Sequence, residues 1–478
     1  MTFASVPFLV FFAVILLLLV LTDKITRKNE KGYQTVSQLI LLVGSYFFYG
    51  WWNAKFCLLL AFVTVVSYGI ALKMEKSVRH KKLWLGAGVT VSLLVLGYFK
   101  YYNFFVASFC DAFGLKNTIA IEVILPVGIS FYTFQAISYL IDVYRKEIEV
   151  RRNIVHYALY IAFFPQLVAG PIVKAKEFLP QLDEVRKVNV KGLERGVQIF
   201  LFGLFKKVVI ADHLSVFVDD VYRAPSAYST ISVWLAVLSY SIQIYCDFSG
   251  YSDMAVGCAS CMGYELPRNF NLPYLSKNVS EFWKRWHISL SSWLQQYLYI
   301  PLGGNRHGKA KMYRNLFLTM VLGGLWHGAD WTFVTWGALH GIALCVHKAY
   351  RSRCKKREIK TWETIVSVAL TTVFVSLCWV FFRASDFSNA VAVLDRLVPG
   401  QVGITKYFSF SIAAILLLAV ASALAILKSW KRGEPRVEGF YPVLDLSKFW
   451  SLVALWVAIG LILGLGYVEG SPFIYFAF

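Results

Sequence analysis

A histidine interrupts one of the most apolar stretches of this sequence. His327 lies in Trp-His-Gly-Ala-Asp-Trp at residues 326–331, inside a stretch that runs from Leu316 to Val346. A neutral imidazole can accept a proton from a hydroxyl group within hydrogen-bonding reach, as acyl transfer requires. A titratable ring at membrane depth is by default a functional-site hypothesis. We predict that His327 is a general base, and the alternative is a core imidazole whose hydrogen bonds are satisfied locally.

A second histidine lies in a run of aromatic and basic residues. His287 belongs to Phe-Trp-Lys-Arg-Trp-His-Ile-Ser-Leu at residues 282–290, and Tyr-Ile-Pro-Leu-Gly-Gly-Asn-Arg follows at 299–306. Lysine and arginine side chains bind phosphate as point charges or as bidentate partners. The region therefore predicts contact with the phosphates of a cytosolic donor. The alternative for the glycine pair is a simple turn.

Other common chemistries find little support in the sequence. A metal site is disfavoured because there is no H-E-x-x-H and no carboxylate at ligand spacing. A serine nucleophile lacks the G-x-S-x-G elbow. Residues 303–306 lack the spacing of a phosphate-binding loop and the Lys-Ser/Thr that follows it. We therefore predict no metal site and no tightly bound cofactor.

Composition indicates an integral membrane protein. Hydrophobic residues make up 58% of the 478 residues and charged residues only 16%, against roughly 45–50% and 25% in soluble domains. The net charge of +20 could suggest a nucleic-acid partner. However, the basic residues form short clusters between apolar segments, which is the pattern of cytoplasmic loops. We predict a single membrane domain over residues 1–478 that contacts lipid and binds no nucleic acid.

Hydropathy predicts an all-α polytopic fold with about 11 transmembrane helices, each needing roughly 20 mostly apolar residues. The basic loops place both termini outside the cytoplasm, so residues 466–478 are expected to form an extracytoplasmic tail. This prediction draws on twelve apolar segments: Val6–Leu21, Val36–Trp52, Phe56–Leu72, Leu83–Phe99, Ile119–Ile141, Val197–Ile210, Ile231–Tyr245, Leu316–Trp326, Trp331–His347, Ile365–Phe381, Ser411–Leu427 and Trp450–Leu465. The segments Leu316–Trp326 and Trp331–His347 are expected to form a hairpin that rises from the cytoplasm.

Two segments break the alternation of spans and loops. Residues 155–196 are apolar but contain Pro165, Gly170 and Pro171, and basic clusters flank them at both ends. Residues 268–314 are too rich in lysine and arginine to span. Irregular backbone at membrane depth is tolerated where protein or a water-filled cavity satisfies its polar groups. We predict that both segments are re-entrant or interfacial.

Several long motifs resemble one family. They are Asn-Phe-Asn-Leu-Pro-Tyr at 269–274, the runs at 282–290 and 297–306, Gly-Gly-Leu-Trp-His-Gly at 323–328, Leu-Pro-Val-Gly-Ile-Ser-Phe-Tyr at 125–132, Phe-Pro-Gln-Leu-Val-Ala-Gly-Pro at 164–171 and Tyr-Cys-Asp-Phe-Ser-Gly-Tyr-Ser-Asp at 245–253. Together they resemble the membrane-bound O-acyltransferase family, and the turn at 299–306 resembles its bacterial alginate O-acetylation branch. One departure is Gln295-Gln296, where the family is expected to have Arg-Asp.

This resemblance implies an acyltransferase with a central catalytic tunnel. It implies that His327 is the catalytic histidine and His287 the second histidine of the active site. A cytosolic thioester, expected to be acetyl-coenzyme A, would supply the acyl group to an extracytoplasmic polysaccharide at the bacterial inner membrane. The expected donor-binding residues are Lys277, Trp283, Lys284, Arg285, Asn305 and Arg306, and the expected tunnel residues are Asn271, Trp286, Trp326 and Trp331.

The carboxyl-terminal sequence Pro-Phe-Ile-Tyr-Phe-Ala-Phe resembles an aromatic tail that serves as an acyl relay in the D-alanylation system. Tyr475 is therefore a relay candidate, and the alternative is an aromatic anchor at the membrane interface. An esterase-fold partner is expected to finish the transfer. Two other functions stay open: D-alanyl transfer from an acyl carrier protein to teichoic acid, and export of an acylated molecule by a transporter.

Overall fold

A computed structural model describes residues 1–27, 29–77, 79–116, 119–168, 170–353, 360–417, 420, 441, 443–467 and 473–474. Within these residues the fold is helical, and the β-structure is a single bridge between Tyr228 and Ile404. The all-α prediction is therefore confirmed.

The first half of the chain contains ten α-helices among its described residues. They are α1 (Val6–Thr26), α2 (Glu30–Gly50), α3 (Lys55–Lys76), α4 (Lys81–Leu96), α5 (Tyr102–Phe113), α6 (Ile129–Arg145), α7 (Ile154–Ala162), α8 (Phe164–Leu167), α9 (Ala175–Phe178) and α10 (Val190–Phe205). A π-helical turn at Gly97–Tyr101 joins α4 to α5, and a 3₁₀ turn at Leu179–Leu182 follows α9.

The described helices of the second half are α11 (Asp212–Arg223), α12 (Thr230–Cys261), α13 (Val279–Arg285), α14 (Ile288–Leu294), α15 (Gly308–His327), α16 (Trp331–Arg353), α17 (Thr361–Arg383), α18 (Phe387–Arg396) and α19 (Phe449–Leu465). Residues 409–417 are also helical. The π-helical turns are Lys206–Ala211 and Gln295–Tyr299, and the 3₁₀ turns are Pro225–Ala227 and Pro273–Leu275.

Several helices are long and apolar enough to cross a membrane. Five such stretches occur within the described residues: Val6–Thr26, Lys55–Lys76, Lys81–Phe113, Thr230–Cys261 and Thr361–Arg383. These agree with the predicted membrane class. The number of about 11 spans stays a prediction.

The chain divides into two compact units. One unit comprises Met1–Leu201 and Tyr251–Pro267. In it α1 packs on α2, where a Cβ on Gly44 would lie only 2.7 Å from Cδ1 of Ile15. The parts of α10 and α12 in this unit also approach closely, since a Cβ on Gly196 would lie 2.6 Å from the carbonyl oxygen of Gly257. Small residues permit such backbone contact between apolar helices.

The prediction of a continuous span at Ile119–Ile141 is wrong for its first part, because the helix begins only at Ile129. Pro126 and Gly128 explain the late start. Gly128 has φ +75°, and a Cβ there would lie 2.4 Å from the carbonyl oxygen of Leu167. A left-handed residue pressed against backbone cannot continue a helix. Within residues 155–196, the helices α7, α8 and α9 are short, and the longer α10 begins at Val190.

The other unit comprises Phe202–Gly250 and Arg268–Phe478 and contains both candidate histidines. Here α15 and α16 form an antiparallel hairpin, as the sequence predicts, and α17 packs on α16. Short helices α13 and α14 occupy the segment that is too polar to span. The prediction that one span ends at Tyr245 is wrong, because α12 continues to Cys261.

Candidate active site

His327 is the last residue of α15, and three glycines explain how the chain turns there. A Cβ on Gly324 would lie 2.3 Å from the carbonyl oxygen of Phe333, so only glycine permits this approach to α16. Gly337 makes the reciprocal approach from α16 toward α15. A Cβ on Gly328 would lie 2.1 Å from the ring of Phe333. The glycines therefore let the hairpin close tightly beside the histidine.

Aromatic rings enclose the imidazole of His327, which is 2% exposed. Its ring centroid lies 5.0 Å from Trp326, 5.1 Å from Trp336 and 5.3 Å from Phe382. The carboxyl end of α15 carries the negative end of the helix dipole, which stabilises positive charge at the last turn. The ring is therefore placed where an imidazolium formed during a reaction would be stabilised.

His287 is fully buried and joins α13 to α14 in a left-handed conformation with φ +43°. Such a conformation is uncommon for a residue other than glycine and persists only where the surroundings impose it. The side chain of Asn269 imposes it here. Its Oδ1 lies 3.2 Å from Nδ1 of His287 and accepts bonds from the amide N–H and hydroxyl of Ser289, at 3.2 and 2.9 Å.

The bonds of Asn269 also determine the tautomer of His287. Because the amide N–H of Ser289 can only donate, the atom that it contacts must be the oxygen of the Asn269 side chain. An oxygen there can only accept, so Nδ1 of His287 carries the proton and Nε2 carries the lone pair. Burial lowers the pKa of His287 to about 3. The ring is therefore a neutral base with a defined orientation.

The two histidines lie close together. Their ring centroids are 6.2 Å apart, and Trp326 contacts both rings. Phe248 of α12 packs edge-on against His287 at 4.7 Å. We use the name histidine cage for these two rings with Trp326, Trp336, Phe248 and Phe382.

Trp336 and His340, one turn apart on α16, are site residues that the sequence reasoning missed. Both are fully buried, and their rings lie 5.0 Å apart. Nδ1 of His340 accepts a bond from the indole N–H of Trp283 at 3.3 Å. The indole N–H of Trp336 has no acceptor among the described residues. A buried donor without an acceptor is costly, which makes it a candidate partner for a substrate oxygen.

A cavity of about 540 Å³ is lined mainly by residues of α13, α15 and α16. Its lining includes three cationic side chains, Lys284, Lys348 and Arg351, and includes no carboxylate among the described residues. Trp283 lines the cavity and contacts Trp336 at 5.6 Å. Contacts between aromatic rings thus lead from this cavity to His327. We name it the donor cavity.

The structure separates the predicted donor-binding residues into two groups. Trp283, Lys284 and Asn305 line the donor cavity. Lys277, Arg285 and Arg306 are not among the lining residues. Arg285 is buried, with its guanidinium paired to Glu281 at 2.9 Å and bonded to the carbonyl oxygen of Asn271 at 3.1 Å. It braces the turn before His287. Arg306 is exposed.

The predicted tunnel residues also divide. Trp326 belongs to the histidine cage. Trp286 is buried against Phe270 and Trp379, each at 5.0 Å. Trp331 is 57% exposed at the start of α16. Tyr475 lies outside the described residues. Within the described residues no cluster of three potential metal ligands forms.

Comparisons with known proteins agree with the motifs. The profile of the membrane-bound O-acyltransferase family matches residues 46–384, which include both histidines. The chain is 44% identical to a probable alginate O-acetylase AlgI of Pseudomonas aeruginosa over 365 residues, covering 75% of this chain and 69% of that one. It is 39% identical to the corresponding Pseudomonas putida protein over 467 residues, covering 93% and 95%.

Two further relatives bear on the choice of acceptor. A peptidoglycan O-acetyltransferase of Helicobacter pylori is 42% identical over 389 residues, covering 76% of this chain and 73% of that protein. A teichoic acid D-alanyltransferase of Bacillus subtilis is more distant, at 27% identity over 278 residues, covering 55% and 70%.

Proposed function

The chain belongs to the membrane-bound O-acyltransferase family, and on that premise we propose that it transfers an acetyl group from cytosolic acetyl-coenzyme A to a hydroxyl of an extracytoplasmic polysaccharide. The observation that carries this proposal is the histidine cage, in which Asn269 holds His287 as a neutral base 6.2 Å from His327. Relatives named for O-acetylation of alginate and peptidoglycan support a polysaccharide acceptor.

In the proposed reaction His327 removes the proton from the acceptor hydroxyl while the oxygen attacks the thioester carbonyl. The carbonyl oxygen gains negative charge, and the indole N–H of Trp336 donates a hydrogen bond to it. Collapse of the tetrahedral intermediate breaks the carbon–sulfur bond, and the leaving thiolate takes the proton back from His327. General acid–base catalysis of this kind contributes roughly 10²–10⁴-fold to a rate. His287 positions or assists the acceptor.

The donor cavity supports an anionic donor. Among the described residues, its lining contains three cations and no carboxylate. Such a lining favours binding of the phosphates of a coenzyme A nucleotide. Asn305 and Lys348 bond to each other at 3.0 Å at its rim. We propose that the nucleotide stays there while the thin pantetheine arm passes Trp283 and Trp336 to reach His327. This route makes the cavity the cytosolic end of the site.

On the outer side, we propose that the hydroxyl of Tyr475 is the first acceptor and becomes an acetyl ester. A hydroxyl of the polymer then attacks this ester, and the tyrosine hydroxyl is released. An esterase-fold partner would then complete transfer to the polymer. The protein would lie in the bacterial inner membrane with both termini outside, as the basic loops suggest. D-alanyl transfer from a carrier protein is the second candidate, and the likeness to the Bacillus subtilis D-alanyltransferase favours it.

Purified protein in liposomes with labelled acetyl-coenzyme A tests the proposal. We expect His327→Ala to lower acetyl transfer by roughly 10²–10⁴-fold. His80→Ala is the control, because His80 is exposed at the start of α4 and should leave transfer unchanged. Transfer that depends instead on a D-alanyl carrier protein supports the second candidate. Transport of an acylated molecule that survives His327→Ala would contradict an enzymatic role.

A further inference from the structure

Three charged side chains form a buried cluster where the π-helical turn Lys206–Ala211 and the start of α11 meet α12. Nζ of Lys207 lies 2.5 Å from Oδ1 of Asp247 and 2.8 Å from Oδ1 of Asp212. All three side chains are almost fully buried. Burying charges is expensive even when they are paired, and ionisable groups inside a membrane protein usually serve a function. The acyl-transfer scheme above assigns none to this cluster.

The π-helical turn Lys206–Ala211 brings the lysines to α12. A π-helical turn is rare, is usually confined to one turn and is frequent at functional sites. Here it allows two consecutive lysines to contact the same turn of α12. Lys207 pairs with Asp247, and Nζ of Lys206 donates a hydrogen bond to the hydroxyl of Ser249 at 2.8 Å. The backbones are close enough that a Cβ on Gly250 would lie 2.7 Å from the carbonyl oxygen of Gly203.

The second oxygen of Asp247 binds the carboxyl-terminal segment. Oδ2 accepts a hydrogen bond from the amide N–H of Ile474 at 2.9 Å. The preceding residue, Phe473, is only 2% exposed, and its ring lies 6.0 Å from that of Phe248. Phe248 is the neighbour of Asp247 on α12 and contacts His287 on its other side. A single turn of α12 therefore touches both the segment and the histidine cage.

We propose that Asp247, oriented by Lys207, is the docking group for the carboxyl-terminal segment at Phe473–Ile474, which it holds against the Phe248 wall of the histidine cage. One carboxylate oxygen pairs with the ammonium and the other receives the main-chain N–H, so the ion pair fixes the direction in which the second oxygen points. Hydrogen bonds to a charged acceptor are stronger than neutral ones. Phe473 adds an apolar contact, so the docking has two independent parts.

Docking gives the segment a role in the proposed transfer. Tyr475 follows Ile474 in the sequence, so this docking would hold the two residues that precede the candidate acyl acceptor beside the cage. This consequence rests on the proposed function, whereas the docking itself does not. Asp247 is a positioning residue in this scheme, because it contacts the segment and not the reacting atoms.

Hydrogen–deuterium exchange of the full-length protein, read by mass spectrometry of the peptide around residue 474, tests the docking without any substrate. We expect Asp247→Ala to speed exchange in that peptide by roughly tenfold or more, as loss of a bond to a charged acceptor predicts. Asp212→Ala is the matched control, because Lys207 keeps Asp247 as its partner and the bond to Ile474 remains. Asp247→Asn, which retains an acceptor oxygen, should fall between the two.

Phe473→Ala separates docking from folding. It removes the apolar anchor and leaves the charged cluster intact, so it should also speed exchange near residue 474 while peptides of the α15–α16 hairpin keep wild-type exchange. Unchanged exchange in both Asp247→Ala and Phe473→Ala, or equal acceleration in Asp212→Ala, would overturn the proposal. If acetyl transfer survives His327→Ala, the proposed function fails while the exchange result still decides the docking.

Discussion

The histidine cage and the donor cavity are adjacent, but they differ in the side chains that form them. The cage consists of buried aromatic rings around two imidazoles, and Asn269 holds the ring of His287 in one orientation. The cavity is open and is lined by three cations that reach into it from α13 and α16. In the proposed function, donor binding and acyl transfer therefore take place at two separate positions along one path. Changes in the cage should lower kcat, whereas changes in the cavity should raise the KM for the donor.

Two stacked indoles give the sharpest test of that separation. Trp336 and Trp379 are both buried and lie 5.5 Å apart. The N–H of Trp379 donates to the hydroxyl of Tyr274 at 3.2 Å, whereas that of Trp336 has no acceptor among the described residues. Removing a donor that stabilises an oxyanion costs roughly 10²–10³-fold in kcat. We expect Trp336→Phe to show such a loss with an unchanged KM in steady-state acetyl-transfer assays.

The matched control for that substitution is Trp379→Phe. It shrinks a neighbouring indole by the same amount but breaks a hydrogen bond that is already made, so it should lower the thermal midpoint and leave kcat within a few-fold. Equal kcat losses in the two variants would mean that the effect of Trp336→Phe comes from altered packing and not from loss of its indole N–H.

The site illustrates what the sequence could and could not predict. Both histidines lie in long family motifs, and the predicted segments on either side of His327 agree with α15 and α16. Asn269, Trp336 and His340 become site residues only through tertiary contacts that no local pattern reports. Trp331 shows another limit, because its place in a motif gave no information on its exposure, which is 57%.

The fold shows a similar limit for hydropathy. The predicted span at Ile231–Tyr245 stops before Asp247, because a charge normally ends an apolar run. The helix continues through this carboxylate because Lys207 pairs with it inside the protein. At Gly128 the helix is instead shorter than hydropathy predicts. The sequence before it is apolar enough for a helix, but the close backbone contact of Gly128 with Leu167 prevents one. Both outcomes depend on neighbours that are distant in the sequence.

Asn269→Ala should have the next largest effect within the cage. It removes the oxygen that holds Nδ1–H of His287, so the ring can adopt the wrong tautomer or rotate. We expect kcat to fall by roughly 10–10²-fold, with the KM for the donor unchanged. Asn103→Ala is the control, because Asn103 is exposed and its described side-chain hydrogen bonds go to the backbone of Ile121 and not to the cage. A rise in the donor KM of Asn269→Ala without a loss of kcat would contradict the assignment of chemistry to the cage and donor binding to the cavity.

Substitutions in the donor cavity should show the opposite kinetic pattern. Lys348→Gln and Arg351→Gln each remove one cation from the lining, and one partly exposed charge contact is worth up to about 1 kcal/mol. We expect the KM for acetyl-coenzyme A to rise roughly two- to fivefold at low salt and less at high salt. Arg353→Gln, an exposed neighbour that is not among the lining residues, should change neither constant. A fall in kcat alone would contradict the assignment.

The smallest expected effect is on stability and comes from the buried ring of His287. Burial lowers the pKa of His287 to about 3, while an imidazole in an unfolded chain titrates near 6.5. The folded protein therefore loses stability as pH falls below about 6.5, because only the unfolded state takes up this proton, and the loss continues toward pH 3. Between pH 7.5 and 6 the contribution is below about 1 kcal/mol.

Thermal midpoints of wild type and His287→Gln, measured at one scan rate, should differ by a constant amount above pH 7. That difference should shift in favour of the variant as the pH falls to 6 and below, and a constant difference across the whole range would show that the ring titrates normally and that the cage admits water to it.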